Sequence, residues 1–429
     1  MRLSLINCKS TDTVPTNRPD ETLDAQSAPN LAPRSMCDDN TTTNQPTSSS
    51  PKVTPAVLQI PTQDVAQQPP DDALRVAHEW LVLEPPQVYE RRAGRKIGDG
   101  LLHIVEERVK ELRYLDDRLA GGDTHELVSR ELNTTLTLMK KSSYTETVGR
   151  RLSSVAGELA QLAGWVASDA GLHSAASDYY LLGAQSARAA GNDAVTANNL
   201  SSLAYQIANI GKPTDAVLLA RSAASRAQKE PAIVQALLLE RVAWAHAKAG
   251  ESRATERALG QVEDALARDR TDDDPPWLYW LDTREADVMA GRCYTELRRP
   301  LRAAPLLERA TATYPEDAHR ELALYLSWLA IAYADAREVE EACRVTHRVL
   351  ELTRNVHSAR TDMRLSAVLG RLSEFAGTQP VKDLWEAARH ADAGCGPRTS
   401  GRKDAIPTRP AGGPTGVPAT PPTGVPPGR

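Results

Sequence analysis

Residues 198–223 read NNLSSLAYQIANIGKPTDAVLLARSA. Leu200, Leu203, Ala204 and Ile207 recur at offsets of three and four, and after Gly211 so do Ala216, Ala220 and Ala223, which is the spacing of one helical face. Ala204 and Ala216 stand twelve positions apart, as do Gly291 and Ala303, and Ala330 and Ala342. Around them, at helical offsets, stand Tyr294, Leu307 and Ala310, then Pro315, in one copy, and Leu326, Leu329, Tyr333 and Val349 in another. A small residue lets a partner helix approach closely, and the large ones fill the space around it. That is the logic of a tetratricopeptide (TPR) hairpin. Such a unit cannot bury its apolar face alone, so neighbours must stack.

The equivalent small residues fall at Ala163, Ala204, Ala243, Gly291 and Ala330, spaced by 41, 39, 48 and 39. The usual TPR period is about 34, so longer helices or links are expected here. The acidic, proline-containing stretch Thr271 to Pro276 accounts for the longest spacing. Before the repeats, amphipathic patterns run from Ala73 to Val82, from Asp99 to about Leu119 and on to about Met139. Another opens at Ser142-Ser143. Helices over about Thr361 to Phe375 and Val381 to His390 close the array. Valine and isoleucine sit at helical offsets and never alternate, so no strand is expected.

The ends are different. Residues 1–70 contain no Phe, Tyr or Trp and are rich in Pro, Thr, Ser, Gln and Asn, while residues 391–429 are dominated by Gly, Pro, Thr and Arg. Neither has the apolar surface to offset the entropy of ordering it. The expected architecture is an all-α, TPR-like α-solenoid of stacked helical hairpins with disordered N- and C-terminal tails. Residues 1–70 and 391–429 are the tails, 71–142 a helical capping subdomain and 143–390 the repeat array.

The 429-residue chain carries a net charge of −5, and its middle holds 41 basic against 47 acidic groups. An acidic core is a poor electrostatic footprint for nucleic acid. The basic cluster Arg91, Arg92, Arg95 and Lys96 reads as a solvated loop. Thr124 to Leu152 holds two helical patterns with a short break. It lacks a turn glycine and a basic second helix, so it reads as packing and not as a DNA-reading motif. Five cysteines without a CxxC pair point to a reducing cytoplasm. No apolar run approaches the ~20 residues of a membrane helix.

Catalytic signatures are missing from the sequence: no HExxH, Walker loop, GxGxxG or GxSxG occurs. His125-Glu126 has no second histidine four positions on, and His246 reads as a helix-packing imidazole. Neither an enzyme, a cofactor nor a metal is expected.

Several stretches resemble the C-terminal part of a family of actinobacterial, Streptomyces-type transcriptional regulators. Among them are AHEWLVLEPPQVYERRAGRKIG (77–98), SYTETVGRRLSSVAGELAQLAGWVASDAG (143–171), NNLSSLAYQIANIG (198–211), LLERVAWAHAKAG (238–250), PPWLYWLD (275–282), DVMAGRCYTEL (287–297) and LALYLSWLA (322–330). In that family a helix-turn-helix of the Xre type or a related one precedes TPR-like repeats, and some members act in sporulation and antibiotic production. The resemblance implies a regulatory role in development or secondary metabolism. Where the family places its helix-turn-helix, this chain has about seventy residues of Thr/Pro/Ser-rich sequence. No DNA-contacting residue is therefore carried over, which counts against direct DNA binding by this chain alone.

TPR arrays present the first helix of each hairpin along a concave face. Asn198, Ser202, Tyr205 and Asn209 lie on one side of such a helix, opposite Leu200, Leu203 and Ile207. The equivalent positions are Arg241, Trp244 and Lys248 in the next unit and Arg292 and Glu296 in the one after. Asparagine holds a peptide backbone with paired donor and acceptor, Arg and Lys take a carboxylate or phosphate, and Trp and Tyr offer stacking area. The expectation is a non-enzymatic protein that grips a protein, a peptide or a small-molecule signal there, with homo-oligomers compatible. Competing readings are a sequence-specific DNA-binding regulator, acting directly or with an intact paralogue, and a structural protein–protein scaffold.

Overall fold

The computed structural model describes residues 70–86, 90–118, 121–315, 318–354 and 359–394. The expected disordered tails lie outside these residues, apart from the few tail residues inside the first and last helices. Three helices come first: α1 (Pro70–Val82), α2 (Asp99–Arg118) and α3 (Gly121–Lys141). Among the described residues five hairpins and two further helices follow. The hairpins are α4 (Glu146–Asp169) with α5 (His173–Ala190), α6 (Asp193–Ile210) with α7 (Pro213–Arg226), α8 (Ala232–Lys248) with α9 (Ser252–Leu266), α10 (Thr283–Glu296) with α11 (Pro300–Ala312), and α12 (His319–Asp335) with α13 (Val339–Thr353); then α14 (Ala359–Leu372) packs on α12 and α13, and α15 (Gln379–Gly394) on α13.

Each first helix also packs on the first helix of the next hairpin, and α12 on α14, so α4, α6, α8, α10, α12 and α14 form one continuous inner layer. The protein is an all-α stack of helical hairpins. Local sequence sets the helix ends. Thr145 accepts from Val148 N, Asn192 from Val195 N and Asp282 from Glu285 N, each satisfying an otherwise orphaned first-turn donor. Between the helices of four hairpins the chain turns through a left-handed residue. Glycine fills this role at 171 and 250, and an arginine at 298 and 337.

The expected small positions do what their size allows. Ala163, Ala204, Ala243 and Ala330 are wholly buried in the inner layer, and a Cβ on Gly291 would meet Leu307 at 2.6 Å. Gly164 is tighter in kind, because its virtual Cβ lies 2.6–2.9 Å from the rigid ring of buried Tyr180. Gly164→Ala is therefore expected to destabilise by about 1–3 kcal/mol through overpacking. Gly260→Ala, in α9 with nothing within 4 Å, should stabilise by about 0.5–1 kcal/mol. Paired urea melts check both signs.

Three expectations need correction. Arg95–Lys96 (β1) and Ser142–Ser143 (β2) form a two-residue parallel pair, with Arg91 bridged to Tyr144, where no strand was expected. Two residues are too few for alternation to register in a sequence. The pair also ties down the basic cluster read as a loop, and it delays the start of α4 from Ser142-Ser143 to Glu146. The three helices ahead of the array pack in two places. Helices α2 and α3 pack on α4 at the start of the array, but α1 docks on the outer helices α5 and α7. Trp80 anchors it, buried to 1% exposure, with Nε1 donating to Asp193 Oδ1 at 2.9 Å and Arg226 stacked on its ring.

The array curls until its ends meet. Asp169, the last residue of α4, accepts from Arg320 of α12 at 3.4 Å and from Arg360 of α14 at 3.0 Å. The segment before α10 reaches the same seam. Trp277 and Leu278 are buried, and Tyr279 donates to Asp117 and lies against Tyr114, so the 48-residue spacing serves as a buttress. These contacts explain charges that local rules disfavour. A helix C-terminus repels an anion and an N-terminus repels a cation, yet Asp169 ends its helix while Arg320 and Arg360 begin theirs.

Candidate functional site

The curl forms a cavity of about 230 Å³ lined by residues of all five hairpins and of α14. Trp165, Tyr205 and Trp328 line it, with Trp244 behind them. Trp165, Tyr205, Trp244 and Trp328 form a ladder with successive ring centroids 6.0, 5.9 and 5.6 Å apart. Guanidinium groups are laid over these rings. Arg241 lies 4.8 Å from the Tyr205 centroid, Arg292 4.6 Å from Trp244 and 5.3 Å from Trp328, Arg360 5.4 Å from Trp165, and Arg364 3.4 Å from Trp328. Contacts of this kind contribute on the order of 0.5–2 kcal/mol each, most when water is excluded.

Of the eight residues expected to bind, Tyr205, Asn209, Lys248 and Arg292 line the cavity. Tyr205 Oη accepts from Arg292, Asn209 Oδ1 accepts from Trp244 Nε1 at 3.2 Å, and Lys248 pairs with Glu296 at 3.2 Å. The other four are off it. Asn198 is buried away from the cavity, and Ser202 accepts from Gln161 of α4 at 3.3 Å. Arg241 and Trp244 are buried behind the lining, where they brace Tyr205 and Arg292. An open concave strip would expose all eight. The curl brings α14 over the strip and leaves the inner side chains in two tiers.

Arg360 and Arg364 were missed, as were Trp165, Asp169 and Trp328. The spacing of 360 and 364 marks a shared helix face, which is the one sequence signal that pointed to them. His246 behaves as expected: it is buried, with Nδ1 2.6 Å from Glu251 Oε2.

The cavity is electropositive. Lys248, Arg292, Arg360 and Arg364 line it against only Asp169 and Glu296. Arg360 is matched to Asp169 and Lys248 to Glu296. Among the described residues, Arg241, Arg292 and Arg364 have no carboxylate within 4 Å, and each keeps one buried N–H without an acceptor. Burial and the neighbouring Arg292 charge push the Arg364 guanidinium down to about 9. Burial works to raise the Tyr205 phenol, but Arg292, Arg360 and Arg241 together bring it down to about 7. Beside this cluster Glu240 is buried and pushed up to about 8 by desolvation.

No family model matches the chain, and no curated protein matches it. Among solved structures, a kinesin light chain protein of nearly identical TPR-like repeats from Podosopora anserina is similar to it at 18% identity and a TM-score of 0.34. That likeness covers 46% of this chain and 94% of the other. Among the described residues no helix is long and apolar enough to cross a membrane.

Proposed function

We propose that this chain is a non-enzymatic regulatory protein that recognises a small ligand, or the end of a peptide, inside its curled inner groove. The observation that carries the reading is the cavity itself, built by every hairpin and lined by more cationic than anionic side chains. Its free volume of about 230 Å³ falls below the ~300–1,000 Å³ of sites for drug-sized ligands. An extended peptide advances ~3.3–3.6 Å per residue, so a long segment does not fit while the ends of the array are clasped. A compact ligand touching both the first hairpin and α14 would change how firmly those ends hold together. That gives a regulator a conformational output. The setting in transcriptional control of development or secondary metabolism rests on the sequence resemblance alone.

Met363 lines the cavity from an exposed position, so Met363→Trp fills the space without removing a charge. The test is thermal melting of the full chain against a mixed panel of small metabolites and short peptides. At a hundredfold excess over Kd a ligand should stabilise by about 2.7 kcal/mol, and Met363→Trp should abolish the shift. Hits that survive Met363→Trp would place binding outside the cavity and contradict the reading, and a panel without hits combined with salt-sensitive, sequence-selective retardation of DNA would favour the DNA-binding reading instead.

A further inference from the structure

Arg292 and Arg364 both lie over one indole. Their guanidinium carbons are 5.3 and 3.4 Å from the Trp328 ring centroid, on side chains from α10 and α14. Stacking fixes the planes of both groups and leaves their N–H edges to point elsewhere. Arg292 spends one edge on Tyr205, and Arg364 Nε donates to Ser327 Oγ at 3.1 Å. Arg292 Nε and Arg364 Nη2 are buried and have no acceptor. Arg292 is only 7% exposed.

Two like charges held this way in a poorly solvated site repel each other, and each carries a desolvation penalty that a buried carboxylate normally offsets. The two carboxylates of the cavity are already engaged elsewhere, Asp169 by Arg320 and Arg360 and Glu296 by Lys248. The missing partner is an anion. A single negative charge would leave one guanidinium uncompensated. A group with two anionic oxygens would match both, and planar guanidinium forks suit carboxylate and phosphate geometry.

We infer that Arg292 and Arg364 form a seat for a small ligand bearing a dianionic oxygen group, a phosphate monoester or a compact dicarboxylate, with the aromatic ladder covering the apolar remainder. This deepens the proposed function and rests on it. Ligands that are neutral, cationic or singly charged fit the seat poorly. Tyr205 serves as the internal counter-group when the seat is vacant, since Arg292 donates to its oxygen. The incoming anion competes for that donor.

The test is calorimetric titration of the full chain with phenyl phosphate, inorganic phosphate and succinate, with acetate and tetraethylammonium as controls. The expected result is saturable 1:1 binding of at least one dianion, at least tenfold tighter than acetate, and no binding of tetraethylammonium. Phenyl phosphate tighter than succinate would assign the phosphate arm, and the reverse order the dicarboxylate arm. Arg364→Gln should weaken the bound dianion at least tenfold, and Arg292→Gln should do the same. Arg364→Lys keeps the charge without the fork and should fall between. Circular dichroism melts establish that each variant is folded, and Arg364→Lys provides the reading if a glutamine variant is not. Absence of saturable dianion binding at 10 mM, equal affinity for acetate, or unchanged affinity in folded Arg364→Gln would overturn the seat. A neutral ligand whose binding Met363→Trp blocks would overturn the seat while leaving the groove reading intact.

Discussion

Asp169→Ala is expected to cost about 3–5 kcal/mol, the usual penalty for breaking one side of a buried ion pair, and to loosen the curl. Its carboxylate is 4% exposed and holds Arg320 and Arg360, whose partners in sequence lie 151 and 191 residues away. Arg320 retains Glu321 and the Asp116 carbonyl when Asp169 is lost. Arg360 is left over Trp165 with no carboxylate. The penalty therefore falls mainly on α14, the last inner helix. Small-angle scattering should show a larger radius of gyration than wild type, and the denaturation midpoint should drop. A folded variant with an unchanged midpoint and radius would show that this carboxylate does not hold the ends.

The second large effect depends on pH. Glu240 is pushed from 4.5 up to about 8 because burial disfavours its charged form, and Glu285 adds to this while Arg241 opposes it. Between those values the folded state keeps a proton that the unfolded state has released. Stability therefore falls as pH rises through the window from about 4.5 to about 8. Asp116, raised from 3.8 to about 6 mainly by burial, adds a similar decline in the lower part of the range. Tyr205 acts in the opposite sense: its folded value of about 7 lies below the unfolded 10, so its contribution grows as pH rises between them. Comparing wild type with Glu240→Gln isolates the single carboxyl. The variant should lose little at pH 5 and gain on the order of a few kcal/mol relative to wild type by pH 8. Parallel stability curves across that range would contradict the buried, protonated assignment.

How much of this was legible in the sequence follows from what each residue needs to know. The small residues at 163, 204, 243, 291 and 330 are buried within their own helices at a local period, and Gly291 meets Leu307 of its hairpin partner, so a local pattern reveals them. The inner face was also partly readable at one register. The residue just after the small one joins the aromatic and guanidinium cluster in three successive units, Tyr205 after Ala204, Trp244 after Ala243 and Arg292 after Gly291, whereas in the first unit Trp165 comes two positions after Ala163. Trp165 was overlooked because its helix was treated as the approach to the repeats.

Arg360, Arg364 and the clasp on Asp169 were not legible. Curvature is the sum of small rotations at each hairpin-to-hairpin interface, and no local pattern reports that sum. For the same reason Arg241 looked exposed on a helical wheel and is buried, with its guanidinium over the Tyr205 ring. Two-residue β1 and the docking of α1 onto α5 and α7 fall in the same class, since both depend on where the chain returns.

The most direct test of the curled array is a double-mutant cycle between Asp169→Asn and Arg360→Gln, read as unfolding free energy. If the first and last inner helices meet as described, the two substitutions should be coupled by at least about 1 kcal/mol, within the range found for contacting charges. Additivity to within about 0.3–0.5 kcal/mol, the behaviour of distant sites, would mean that the ends do not touch and that the cavity does not exist in solution.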